Sequence, residues 1–307
     1  MIKAVIDLGT NTFHLLIADV SGGFISPILK EQIAVKLGEG GIHQNQIGPE
    51  AFERGQIALE KFRHLLNQHQ IESVQVVATS AIRGASNGHH FIEEAKRRSQ
   101  FSIQCISGLE EAMLIARGVL HELPDLEHPF LIMDIGGGSV EFILCQDNEV
   151  IHKESIDIGA ARLLAMFNPA DPIDPMEVHR ITSFLQEKLS GLIHRCHHHH
   201  VQSLIGSAGS FESILDLIED QLSLTNDRLS EHCYQIKPEH FQRIHRLLLS
   251  STLEERKGMA GMADFRVEMM VLASILIHVV LEMGRFDSLY CSLNSLKEGL
   301  ILGEEYL

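Results

Sequence analysis

Cysteine is scarce in this chain of 307 residues: there are five, at positions 105, 145, 196, 233 and 291. None falls in a Cys-x-x-Cys pair and the number is odd. That excludes a disulfide framework and a zinc knuckle, and it fits a reducing compartment. The five read as small apolar packing residues. Long apolar runs are missing too. The longest, 269–281, is interrupted by His278 and closed by Glu282, so it is too short to span a bilayer and reads as a buried helix. The N-terminus, MIKAVIDLG, has no apolar stretch followed by a small-residue cleavage site, so no secretory signal is read there. A cytoplasmic protein without membrane contact is the expectation. Cations are in deficit, 25 Lys and Arg against 41 Asp and Glu, for a formal net charge of −16. A field of that sign disfavours nucleic acid, whose binding rests on cationic neutralisation of phosphates. It equally opposes any polyanionic substrate, which then needs an added cation or a locally basic path. Low-complexity sequence is confined to histidines 197–200. Consecutive histidines cannot all face one metal from a helix or strand, so this run reads as a solvated helix end.

What is present is an ordinary globular composition, 45% hydrophobic and 21% charged, in a length suited to two domains. The clearest organisational signal is internal. Residues 3–12 read KAVIDLGTNT and residues 130–139 read FLIMDIGGGS. Each is an apolar run ending in Asp-apolar-Gly and small polar residues. Each leads into a second strand-like run, 13–20 or 140–145, then a turn signal and a third extended segment. Two similar domains facing each other are expected, 1–124 and 125–307, divided at Leu123-Pro124-Asp125. The closing helix, 294–307, is placed where it can pack back onto the first domain.

Between these units the periodicity predicts helices at 49–68, 91–98, 110–122, 176–195, 211–219, 239–249, 267–283 and 293–305. Short strands are predicted at 74–79, 102–106, 201–205 and 288–291. Strands alternating with helices argue an α/β fold with mixed sheets flanked by helices and a cleft between the two domains.

A strand ending in Asp-x-Gly presents a carboxylate at the sheet edge, and the residues after it let backbone N–H groups approach an anion. Gly136, Gly137, Gly138 and Ser139 form the stronger such loop, because three successive glycines only weaken a strand. Gly9, Thr10 and Asn11 form its counterpart. The segment GSAGS (206–210), with Gly206, Ser207 and Gly209, is a candidate for a further phosphate loop. Carboxylates this close to phosphates need an intervening cation. Asp7, Asp134 and Glu141 are therefore candidate magnesium ligands, direct or through water. Glu110 and Glu111 both lie in the first turn of a helix after a strand, where a carboxylate facing a cleft can orient and deprotonate a water. His14, in an apolar run, reads as a packing residue.

Five motifs in order, DLGTNTFHLLI (7–17), ATSAIR (78–83), ISGLEEA (106–112), DIGGGSVE (134–141) and GSAGS, resemble the exopolyphosphatase / guanosine pentaphosphate phosphatase family. The resemblance implies the fold of actin, heat-shock ATPases and sugar kinases, two ribonuclease-H-like domains around an active cleft. It implies release of terminal phosphate from inorganic polyphosphate, guanosine pentaphosphate or both, with Mg2+ as cofactor. By position it makes Glu111 the catalytic base and Arg83 a phosphate-facing residue. It likewise assigns the two loops, 7–11 and 134–139 with Glu141 beyond, to phosphate and metal. Departures are Thr10 and Thr12 where serine is common, Arg266-Val267-Glu268 where the family often has Arg-Ala-Asp, and Leu296-Lys297-Glu298-Gly299 for Leu-Arg-Glu-Gly. No site role is carried onto the last two segments. The competing readings are an ATP-dependent kinase of the same superfamily and a non-catalytic sensor of guanosine tetra- or pentaphosphate. A homodimer is the default assembly.

Overall fold

The computed structural model describes residues 1–124, 126–207 and 209–303. Asp125 at the expected domain break, Ala208 of GSAGS and residues 304–307 of the expected closing helix lie outside them.

Two mixed sheets organise the chain. The first holds β1 (Ile2–Leu8), β2 (Thr12–Ser21), β3 (Phe24–Ala34), β4 (Gln75–Ala78) and β5 (Ile103–Cys105), in the order β3-β2-β1-β4-β5. The second holds β6 (Phe130–Ile135), β7 (Val140–Gln146), β8 (Glu149–Ile156), β9 (Ser203–Ser207), β10 (Asp227–Arg228), β11 (Cys233–Ile236) and β12 (Ser288–Ser292), in the order β10-β11-β12-β9-β6-β7-β8. Setting aside the β10–β11 hairpin, the second order repeats the first. In each, three antiparallel strands form a meander and the first of them pairs in parallel with the next strand out. The repeated motif of the sequence is therefore a repeated sheet. The β10–β11 hairpin, absent from the expectations, is an edge addition too short to show a period. The central strands are apolar on both faces because both are covered. The edge strand β3 alternates and carries Pro27, which blocks further pairing.

The helices are α1 (Pro49–Gln68), α2 (Ser80–Gly84), α3 (Gly88–Ser99), α4 (Gly108–Glu122), α5 (Ala160–Phe167), α6 (Pro175–His198), α7 (Gly209–Leu222), α8 (Pro238–Ser250), α9 (Leu253–Lys257), α10 (Met270–Gly284) and α11 (Leu296–Leu302). The apolar run at 269–281 is a helix inside the core, as expected. None of the described helices is long and apolar enough to cross a membrane. The histidine run ends α6 largely in solvent, where His197 bonds the Met283 carbonyl at 3.0 Å.

Two elements join the halves. Ala112, Ile115 and Val119 of α4 and Leu296, Leu300 and Ile301 of α11 share one apolar cluster with Val5 and Leu16 of the first sheet and Phe130 and Ile132 of the second. The two helices touch backbone to backbone at Gly118 and Gly299. A side chain at Gly118 would run into the Ser295 carbonyl, and one at Gly299 into the Leu114 carbonyl. This crossing brings the first turn of α11 to the ends of β1 and β6.

Candidate active site

The loops that follow β1 and β6 have the same build. Gly9 N–H donates to the Thr12 carbonyl at 3.1 Å, and Gly136 N–H donates to the Ser139 carbonyl at 3.1 Å. Each aspartate sits at the same register, Asp7 opposite His14 and Asp134 opposite Glu141. The loops lie against each other: a Cβ on Gly137 would stand 2.9 Å from Thr10 Cβ, and one on Gly138 3.1 Å from Thr10 Oγ1. Around them opens a cleft of about 680 Å³ whose walls include Asp7, Gly9, Thr10, Asn11, Glu111, Asp134, Gly136, Gly137, Gly138, Ser139 and Gly209.

The paired glutamates at the start of α4 divide their work. Glu110 closes a capping box with Ser107: its Oε2 accepts from Ser107 N–H at 2.7 Å while its own N–H reaches Ser107 Oγ at 3.2 Å. Glu111, one residue on, turns inward and is 7% exposed. Its Oε2 accepts from Arg83 Nη1 at 2.8 Å, and Arg83 Nη2 stands 3.5 Å from Ser139 Oγ. Burial pushes the Glu111 carboxyl up to about 7, against the restraining Arg83 hydrogen bond and charge and with the help of Asp134. Arg83 itself is further held by the Ile106 carbonyl at 3.1 Å, so its fork bridges α4, the strand before it and the glycine loop.

Asp134 is fixed through one oxygen. Its Oδ2 accepts from Ser295 Oγ at 2.6 Å and from Ser207 Oγ at 3.1 Å. Burial raises it to about 6 even so. Asp7 is raised to about 8, by burial first and then by Glu111, while Lys297 pulls the other way. Its Oδ1 is buried without a hydrogen-bond partner among the described residues. Glu141 is also raised well above the usual range by burial and by Glu111, although it accepts from Ser155 Oγ at 2.6 Å. It stands behind the loop and is not part of the cleft wall.

Three other expected contacts, Arg83, Gly206 and Ser207, are not in the cleft wall. The bare Cα of Gly206 makes room for the Phe211 ring, and Ser207 Oγ is spent on Asp134 and the Asn294 carbonyl. Gly209 does reach the wall, but its missing side chain makes room for the Arg266 guanidinium, which donates to its carbonyl. The Asn11 side chain ties down the Phe265 carbonyl at 3.0 Å.

Lys297 and Arg266, without an expected site role, and His14, expected only to pack, complete the walls. Lys297, from α11, lies within the cleft 3.3 Å from Glu298; burial works against its charge, but Glu298, Glu212 and Asp7 together raise its pKa. Arg266 lines the opposite side, held by Ser213 Oγ at 3.0 Å. His14 bonds Thr12 Oγ1 at 2.9 Å, and burial, Lys297 and Arg266 push it down to about 3, so it is neutral.

With this geometry in place, a model of the Ppx/GppA phosphatase family matches residues 16–306. The chain belongs to the Ppx/GppA phosphatase family. Among curated Ppx/GppA relatives, exopolyphosphatase 2 of Mycobacterium tuberculosis is 28% identical, with 97% of each chain covered. A crystal structure of an exopolyphosphatase from Cytophaga hutchinsonii is 36% identical and superposes with a TM-score of 0.92, covering 97% of this chain and 96% of that one. The Aquifex aeolicus PPX-GPPA enzyme is 25% identical, with a TM-score of 0.79 and 99% of both chains covered. The mixed α/β fold with two helix-flanked sheets is thus the one the motifs implied.

The cation that a Ppx/GppA fold implies can be tested against these residues. Among the described residues, no three His, Cys, Asp or Glu side chains converge to hold an ion by themselves. The donor set is nonetheless one of hard oxygens: Asp134 and the unpartnered Oδ1 of Asp7, both raised by crowding and burial. That fits magnesium, which takes one or two carboxylates and completes its shell with water and phosphate oxygens. It does not fit an all-protein cage.

Proposed function

We propose that this chain releases orthophosphate from the end of a phosphoanhydride chain, inorganic polyphosphate or guanosine pentaphosphate, by attack of a water activated by Glu111. The observation that carries this reading is the placement of one buried carboxylate, Glu111, beside two abutting glycine-containing loops. Its pKa near 7 suits a general base at neutral pH.

In this reading the terminal phosphoryl group rests on the backbone N–H groups of Gly137, Gly138 and Ser139, with Thr10 and Ser80 closing the opposite side. Arg83 holds Glu111 Oε2, which leaves Oε1 to take the proton of the attacking water. As the water oxygen bonds to phosphorus, the bond to the bridging oxygen breaks and its electrons pass to the departing phosphate. Lys297 and Arg266 lie where that phosphate and its neighbours would gather. Asp7 and Asp134 would hold magnesium, which when bound neutralises phosphate charge. Most of the acceleration in such a site comes from fixed donors aimed at the developing charge.

Purified protein incubated with long polyphosphate, tripolyphosphate and guanosine pentaphosphate, with and without magnesium, tests the reading. Magnesium-dependent release of orthophosphate without any acceptor is expected. Phosphate appearing only when an acceptor alcohol is supplied would make the chain a kinase, and binding without release over hours would make it a sensor.

A further inference from the structure

The glycine loop of the second half can offer its amides because its carbonyls are held from behind. Ala160 N–H donates to the Gly136 carbonyl at 3.0 Å, Arg162 N–H to Gly137 at 3.0 Å and Gly159 N–H to Gly138 at 3.2 Å. Arg162 adds a side-chain donor: its Nε reaches the Gly138 carbonyl at 2.9 Å. A peptide unit is planar and trans, so a C=O pointing one way sends the following N–H the other. Three captured carbonyls therefore turn the amides of Gly137, Gly138 and Ser139 towards the cleft. Gly159 is needed for so close an approach, since a Cβ there would run into the Gly137 and Gly138 backbone.

The Thr10 and Asn11 carbonyls of the first half are held in the same way, but among the described residues by backbone donors. Gly38 N–H takes the Thr10 carbonyl at 3.2 Å, and Val35 and Lys36 N–H take Asn11 at 3.0 and 2.8 Å. Only the second loop is touched from behind by a side chain among these contacts. That side chain is 16% exposed, stands 3.8 Å from Asp157 and is not in the cleft wall. Its Nε is spent on the Gly138 carbonyl.

We propose that Arg162 is a positioning residue for phosphate binding: its Nε–H, bonded to the Gly138 carbonyl, fixes the peptide whose N–H at Ser139 meets the anion. This rests on the reading that the cleft takes a phosphate chain. The role belongs to one hydrogen bond rather than to the positive charge, and the two can be separated. In R162Q the amide nitrogen stands as many bonds from the backbone as Nε does, so the donor is kept and the charge lost. In R162M an unbranched thioether chain of similar length has neither.

Orthophosphate binding by calorimetry and tripolyphosphate kinetics, both with magnesium, are measured on the full chain and the two variants. In R162M, orthophosphate affinity is expected to fall about tenfold and KM for tripolyphosphate to rise by a similar factor, the scale of one lost hydrogen bond. Its melting temperature should stay within about 3 °C of wild type, less than the shift that loss of a core contact brings. R162Q should recover most of the affinity. Equal loss in both variants would assign the effect to charge, and wild-type affinity in both would leave Arg162 without a role; either overturns the proposal. If R162M does not fold, R162Q decides: weakened phosphate binding in folded R162Q overturns the proposal, and retained binding supports it. Failure of the wild type to release phosphate would count against the hydrolase reading, while the order of orthophosphate affinities would still decide the role of Arg162.

Discussion

At the scale of single residues, the site is a balance of buried charge. Glu111, Asp7 and Asp134 crowd one another at the cleft, where Arg83 pairs with Glu111 and Lys297 lies near Asp7. Replacing Lys297 by methionine leaves Asp7 and Glu298 without their neighbouring positive charge. K297M is expected to raise KM for tripolyphosphate roughly tenfold or more, because truncating one partner of a buried charge cluster costs several kcal/mol. Steady-state kinetics check this, and an unchanged KM would remove Lys297 from the substrate path. The adjacent pair Glu110 and Glu111 shows what sequence can and cannot resolve. Ser107 three residues before Glu110 spells a capping box, so Glu110 was legible as a cap. That Glu111 faces the cleft follows from the packing of α4 between the sheets, which no local pattern states. Lys297 and Arg266 stayed hidden for a similar reason. They lie far along the chain from the loops they serve, and the available signal was their place in the two segments, 266–268 and 296–299, that match the family's pattern only loosely.

Among the elements, the repeated meander carries the fold and glycines set the close approaches. The strand order was foreshadowed because KAVIDLGTNT and FLIMDIGGGS share one pattern of apolar run, aspartate and glycine. The GSAGS segment was harder to read. A glycine that admits a phosphate and a glycine that admits a phenyl ring look alike in sequence, and Gly206 proves to serve the Phe211 ring. The α4–α11 crossing is the element on which the site depends most. A methyl group at Gly299 would press on the Leu114 carbonyl, a backbone atom that cannot rotate aside. G299A is expected to lower unfolding free energy by about 1–3 kcal/mol, the usual cost of overpacking. It should also depress turnover, since Ser295, which holds Asp134, opens that helix. Denaturant titration alongside an activity assay tests the coupling; full stability with lost activity, or the reverse, would break it.

Across the whole molecule, the excess of acid is not relieved inside the cleft. Asp7, Glu31, Glu111, Asp134, Glu212, Asp216 and Glu231 share its walls with Lys30, Arg228, Arg266 and Lys297. Asp7 at about 8, Glu111 at about 7, Asp134 at about 6 and the raised Glu141 lie above ordinary carboxylates, so between roughly pH 4 and 8 these four bind more protons in the folded chain than in the unfolded one, and they outnumber the two buried histidines, His14 at about 3 and His245 at about 4, that act the other way. Stability then falls as pH rises through that window. Without divalent cation the melting temperature is expected to be higher at pH 5 than at pH 8. Magnesium should raise it more at pH 8, where the carboxylates are ionised. Thermal melts of wild type and of the D7N/D134N double variant provide the check: the variant should lose the magnesium response and keep only the shallower slope left by Glu111 and Glu141, and a wild type indifferent to both pH and magnesium would contradict the assignment of these residues.

The central claim is that one carboxylate activates the attacking water, and the most direct test is the rate of orthophosphate release from tripolyphosphate by E111Q with saturating magnesium. Glutamine keeps an oxygen for Arg83 but cannot accept the proton of water. Turnover is expected to fall by about 10²- to 10⁴-fold, the range general-base catalysis supplies, with orthophosphate affinity and melting temperature close to wild type. Turnover within a few-fold of wild type would show that Glu111 is not the base.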